Sequence, residues 1–156
     1  MRRRPYSHAA AAVALALLCM AAAHAKDRGS IAPDPTWSSE CGTCHVPYPP
    51  QLLAPAAWAA IMRDLGRHFG TDASVDAAAE RSISAFLQAR SASGKRGRAE
   101  PQTIRITETA WFRRKHDELA PEVWKRPAVK SASNCAACHE EAERGIYSEH
   151  TVRVPH

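Results

Sequence analysis

The chain has 156 residues, 45% of them hydrophobic and 24% charged, with 21 basic and 16 acidic side chains. That is the composition of one globular domain or two very small ones; it excludes a long multidomain enzyme, a disordered tail and a collagen-like fibre. The formal net charge of +5 leans on Arg2, Arg3 and Arg4, so it gives no reason to expect nucleic-acid binding.

Those arginines open a segment that reads as a secretory signal. Ala9 to Ala23 form an alanine-rich apolar run, and Ala23-His24-Ala25 has the A-x-A form of a cleavage site. The run is short and weakly apolar for an uncleaved anchor, and Leu18 is bulky where a lipidation site at Cys19 wants a small residue. Residues 1–25 are therefore expected to be cleaved, leaving a periplasmic protein with no permanent membrane span. The 156 residues less 25 leave 131. They hold 18 basic and 16 acidic side chains, four cysteines, six histidines and Met62 as the single methionine.

The four cysteines fall in two copies of one pattern, Cys41-Gly42-Thr43-Cys44-His45 and Cys135-Ala136-Ala137-Cys138-His139. Each is C-x-x-C-H, the attachment pattern of c-type haem. Two thiols add to the two vinyl groups of one haem and fix its edge to the chain, and the next histidine then lies under the iron. Chance gives two such patterns in a chain of this composition with a probability on the order of 10⁻⁴. A zinc site built from all four cysteines wants its pairs closer together, and redox disulfides want a thioredoxin-like βαβ context that is absent. Two covalently attached haem c groups are thus expected, on Cys41 with Cys44 and on Cys135 with Cys138. His45 and His139 are the proximal iron ligands.

Prolines at 47, 49, 50 and 55 predict an extended segment after the first motif. Trp58, Ile61, Leu65 and His68 then recur at helical spacing, and Gly70 stops the helix. On that apolar face His68 is either a satisfied core histidine or the second ligand of a buried iron, and the short loop back to Cys41 favours the ligand. Met62, at a neighbouring angle, reads as core. Residues 74–90 read as a helix with a buried stripe of Val75, Ala79, Ile83, Phe86 and Leu87, started by Thr71 or Asp72.

A small, basic, Gly- and Pro-punctuated stretch over 94–101 reads as a linker between a first haem lobe, 26–93, and a second, 102–156. Ile104 and Ile106 alternate with polar residues and suggest a brief β pair near 102–106. Thr107 is the expected cap of a helix on which Phe112, His116 and Leu119 share a face. His116 carries the same two readings as His68. His150 and His156 lie in a polar tail where solvation is the default. Residues 134–144 read as a helix bearing the second motif, closed by Gly145. The expected fold class is all-α with much irregular structure, in two small haem-binding lobes.

With one methionine, at most one haem can be His/Met ligated, and histidine on both sides of both irons is the natural alternative. Chain proximity pairs His68 with the first haem and His116 with the second; a swap leaves the inventory unchanged. Irons capped on both sides have no open position for a substrate. The expected function is outer-sphere electron transfer at low potential, without enzymatic bond making. The alternatives are a haem enzyme or sensor with one open iron site, or the small dihaem subunit of a larger periplasmic reductase.

The sequence resembles the bacterial dihaem cytochrome c family. The likeness runs from about Glu40 to Pro155, through Cys41 to His45, Tyr48, Trp58, Ile61-Met62, Leu65, His68-Phe69-Gly70, Arg105-Ile106-Thr107, Trp111-Phe112, Arg114-Lys115-His116 and Asn134 to His139 with Gly145. Members often have serine before the tryptophan that is Trp58 here; this chain has Ala57, a difference that touches no ligand. The resemblance implies bis-histidine ligation of both haems. It implies redox protein partners, such as the oxygen-binding monohaem cytochrome called the sphaeroides haem protein, or else a membrane cytochrome.

Each half is too short for a generous apolar core, so a haem has to supply part of it. The haem-free protein is expected to be largely unfolded. Far-ultraviolet circular dichroism at neutral pH checks this, and native-like helix content without haem would contradict it.

Overall fold

A computed structural model describes residues 33–156, and the expected signal segment 1–25 lies outside the described residues. Helix α1, Pro35–Cys41, leads into the first motif. Asp34 caps it, accepting a hydrogen bond of 2.8 Å from the Trp37 amide, and Pro35 takes a first-turn position where its missing N–H costs nothing. The chain leaves α1 through Gly42, whose amide donates to the Ser38 carbonyl; a Cβ at Gly42 would lie 2.3 Å from that oxygen. The first motif therefore starts as the last turn of a helix and needs a glycine to turn out of it.

The proline segment is irregular to Pro49, makes a 3₁₀ turn at Pro50–Leu52, and enters α2, Pro55–Met62, through another first-turn proline. Trp58 buries its ring and donates its indole N–H to the Pro50 carbonyl at 2.6 Å. Helix α3, Ala77–Arg90, packs on α1 and α2 and buries Ala79, Ile83 and Leu87, with Val75 and Phe86 half-buried beside them. Its cap is Asp76, whose carboxylate accepts from the Ala78 and Ala79 amides. Thr71 and Asp72 lie before it, Asp72 accepting from the Ser74 amide in a turn of its own.

The helix expected to run to Gly70 ends at Met62. Asp64 and Gly66, both weak helix formers, follow it, and the chain tightens into a 3₁₀ turn at Leu65–Arg67. His68 comes next in extended backbone, and Phe69 and Gly70 both take positive φ, 49° and 98°. His68 thus sits on a sharp turn rather than on a helix face.

The stretch 94–101 contains α4, Gly94–Ala99. Before it, buried Ala92 donates its amide to the Leu53 carbonyl at 2.8 Å; from it, the Arg96 guanidinium lies over the Trp111 ring at 4.8 Å. The brief β pair expected near 102–106 does not form. Arg105 is extended, but a 3₁₀ turn at Ile106–Glu108 follows at once, and no sheet occurs among the described residues.

Helix α5, Ala110–Lys115, is capped by Thr109 and not by Thr107, which lies inside that 3₁₀ turn. The buried Thr109 hydroxyl accepts from the Phe112 amide at 3.1 Å and donates to the Ile106 carbonyl at 2.8 Å. His116 terminates α5. Beyond it come 3₁₀ turns at Pro121–Lys125, Cys135–Ala137, Ala142–Arg144 and Glu149–Thr151. The helix expected over 134–144 is two of these turns with His139 between them. Gly145 closes the second at φ 70°, the left-handed conformation glycine favours. The architecture is all-α with much irregular structure, as the sequence implies.

Core material is uneven. One cluster joins Trp37, Leu53, Ala54, Ala57, Trp58, Met62, Ala79, Ile83 and Leu87. Beyond residue 100 the buried apolar side chains are Phe112, Val123, Val129, Cys138 and Ala142. Thr109 therefore matters more than a cap on an exposed helix. Thr109→Val, which leaves the buried Phe112 amide without its acceptor, is expected to cost about 1–2 kcal/mol. Thr109→Ser should retain most of the stability. Denaturant titration of the haem-loaded protein checks both.

Candidate functional site

The two motif histidines each face one of the two candidate distal histidines. His45 and His68 have ring centroids 6.3 Å apart and planes inclined by 21°. His116 and His139 have centroids 6.3 Å apart with planes at 78°. Two imidazoles on opposite sides of one metal, each bonded at about 2.0–2.1 Å, place their centroids roughly 6–6.5 Å apart. Both pairs meet that spacing, in the combination that chain proximity suggests.

Hydrogen bonds set the tautomers. His45 Nδ1 lies 2.7 Å from the Val46 carbonyl and His116 Nδ1 lies 2.8 Å from the Phe112 carbonyl. A carbonyl only accepts, so each Nδ1 carries the proton and each Nε2 keeps its lone pair for a metal. Burial lowers the His68 pKa, with a smaller push from His45; burial lowers that of His139, with a smaller push from His116.

Aromatic rings enclose these imidazoles. Tyr48 stacks on His45 at 4.4 Å and 11°, and Phe69 meets His68 edge-on at 4.9 Å. Phe112 stacks on His116 at 4.0 Å, with Trp124 at 5.8 Å from it, and Tyr147 lies 5.3 Å from His139. His139 Nδ1 and the Tyr147 hydroxyl are buried polar atoms with no protein partner.

Cys41, Cys44, Cys135 and Cys138 are free thiols. Burial, and then Glu40, pushes Cys41 up to about 11; burial pushes Cys135 up to about 11 and also raises Cys138. No three His, Cys, Asp or Glu side chains converge as a metal site among the described residues. Met62 packs in the core cluster, and His150 and His156 are exposed.

Both motifs border one cleft of about 600 Å³, open to solvent and lined by residues 42–48, 133–136 and 143. Common small-molecule sites span about 300–1,000 Å³, so this cleft has room for a macrocycle. The imidazole spacing and the ring-nitrogen hydrogen bonds fit a haem on each motif.

Residues 37–147 match the dihaem cytochrome c family. The chain belongs to that family. No curated protein matches it, but solved structures do. A dihaem cytochrome c from Shewanella baltica OS155 is 40% identical, with TM-score 0.69, over 80% of this chain and 95% of that one. A structure of DHC purified from Rhodobacter sphaeroides is 41% identical, with TM-score 0.65, over 76% of this chain and 100% of that one. A further dihaem cytochrome c structure from Rhodobacter sphaeroides is 42% identical, with TM-score 0.67, over 75% and 98%. As a dihaem cytochrome c the protein carries two c-type haems and transfers electrons. No helix among the described residues is long and apolar enough to cross a membrane.

Sequence reasoning did not assign a role to Tyr48, although it lies three residues beyond His45. Its hydroxyl donates to the Ser133 carbonyl at 2.6 Å, a contact 85 residues away in sequence that no local pattern announces. Burial and then the charge of Cys135 push its phenol up to about 12.

Proposed function

We propose that the protein is a periplasmic electron carrier, not an enzyme, with both haem irons capped by two histidines. In this reading Cys41 and Cys44 hold one haem, with His45 and His68 on its two faces. Cys135 and Cys138 hold the other, with His139 and His116 on its faces. The first haem belongs to a lobe of residues 26–93 and the second to one of 102–156, joined through 94–101. Two opposed imidazole pairs, both at 6.3 Å, carry this reading.

Each haem, when bound, supplies a one-electron iron couple. The chain supplies the rest. Backbone carbonyls of Val46 and Phe112 fix the orientation of His45 and His116. Stacked Tyr48 and Phe112 limit rotation of those rings. A ligand set that does not change between oxidation states keeps reorganisation small. Imidazole on both faces, with Met62 committed to the core, favours low potentials relative to His/Met cytochromes. Cleavage of residues 1–25 would deliver the chain to the compartment where c-type haem is attached. Its partners are then redox proteins, an oxygen-binding monohaem cytochrome or a membrane cytochrome.

Carbon monoxide tests the closed coordination. The absorption spectrum of the reduced protein should not change on adding it; binding at either haem would overturn the reading. His68→Ala and His116→Ala should each open one haem of the two to carbon monoxide, with the other left unaffected.

The ring planes offer a separate check. Imidazoles inclined by 21° split the iron π orbitals more than imidazoles at 78°. The ferric protein should therefore give two distinct low-spin paramagnetic resonance signals. The first site should give the more rhombic one, and the second should show the larger maximum g value. His116→Ala should remove the second signal alone.

A further inference from the structure

We propose that Tyr48 is a positioning residue shared by the two haem sites and couples the potential of one to the structure of the other. The inference rests on the assignment of His45 and Cys135 to haem given above, and it adds a residue that neither motif contains.

Tyr48 has three attachments. Its ring packs against the core cluster around Trp37, Trp58 and Leu87. Its face lies on the His45 imidazole at 4.4 Å and 11°. Its hydroxyl donates to the Ser133 carbonyl at 2.6 Å. That carbonyl is a junction for the second motif. The Cys135 amide donates to it at 3.0 Å, and the Cys135 thiol lies 3.7 Å from it. The Ser133 segment is itself braced, because Ser131 Oγ accepts from the Ser133 amide at 3.2 Å and Asn134 Nδ2 donates to the Val129 carbonyl at 3.0 Å.

One side chain therefore touches the proximal imidazole of the first site and fixes the carbonyl to which the first cysteine of the second site is bonded. The path from the His45 ring to Cys135 is one ring stack, one hydrogen bond and one backbone junction. The stack sets how the His45 ring is turned, and ring orientation tunes the metal it ligates. Together these contacts give the two sites a common reference point in the core.

The two contacts can be removed one at a time. Tyr48→Phe keeps the stack and deletes the hydrogen bond. Tyr48→Leu deletes both. Midpoint potentials of the two haems are read by spectroelectrochemistry on the haem-loaded protein, with two haems per chain confirmed by mass. Tyr48→Phe should change the electron partition between the haems by threefold or more, about 28 mV at 59 mV per tenfold. The shift should fall on the second haem, and the first-site resonance signal should stay as in the parent. Tyr48→Leu should also alter that first-site signal. If it fails to load haem, Tyr48→Phe alone decides. A fully loaded Tyr48→Phe protein with unchanged separation between the potentials overturns the role of Tyr48. A parent protein with fewer than two haems, or one that binds carbon monoxide, overturns the site assignment itself and the role of Tyr48 with it.

Discussion

The proposed ligation sets the constraint on which the rest depends: two imidazoles must face one point from opposite sides, each offering a ring-nitrogen lone pair. Burial lowers the pKa of His68 and His139, and the facing ring lowers it further. Carbonyls at Val46 and Phe112 accept hydrogen bonds from Nδ1 of His45 and His116. The hydrogen bonds on His45 and His116 use no charged partner. A carboxylate on Nδ1 would make a ligand more anionic; a neutral carbonyl fixes direction while leaving the electronics close to those of plain imidazole.

The irregular parts of the backbone carry the rings. Three of the four histidines stand at the end of an element or between two. His68 follows a 3₁₀ turn and precedes two residues at positive φ, His116 terminates α5, and His139 lies between two 3₁₀ turns. Helices α1, α2 and α3 form the packed base beside the first motif.

Chemistry was more legible in the sequence than backbone shape. The C-x-x-C-H motifs, the two extra histidines and the glycine stop at Gly145 are read from residue identity and spacing alone. Element limits were not, because several residues compete for each role. Thr107 and Thr109 are both good caps, and only the buried hydrogen bonds to Phe112 and Ile106 select Thr109. Asp76 wins over Asp72 because its carboxylate reaches two free amides at the start of α3. Apolar spacing through Trp58, Ile61, Leu65 and His68 suggests one helix, yet Asp64 and Gly66 end it early. Helix α1 has a cap at Asp34 and a proline start, but its seven residues are too few for a periodic signal. Tyr48 was invisible as a site residue because its meaning lies in a contact with Ser133 that only the folded chain makes.

The distribution of core residues gives the two halves different tasks. The cluster from Trp37 to Leu87 closes around α3, with Ile83 at 1% exposure and Leu87 at 2%. The second half has fully covered side chains only singly, such as Val129 at 1% and Ala142 at 1%, and 3₁₀ turns whose hydrogen bonds are weaker than those of an α-helix. A domain so short of apolar mass gains most from a large covalently held ring. The hydrogen bond of Tyr48 then ties the less self-sufficient half to the better packed one. On this argument the second motif is ordered by two things together: its own haem and an anchor from the first site.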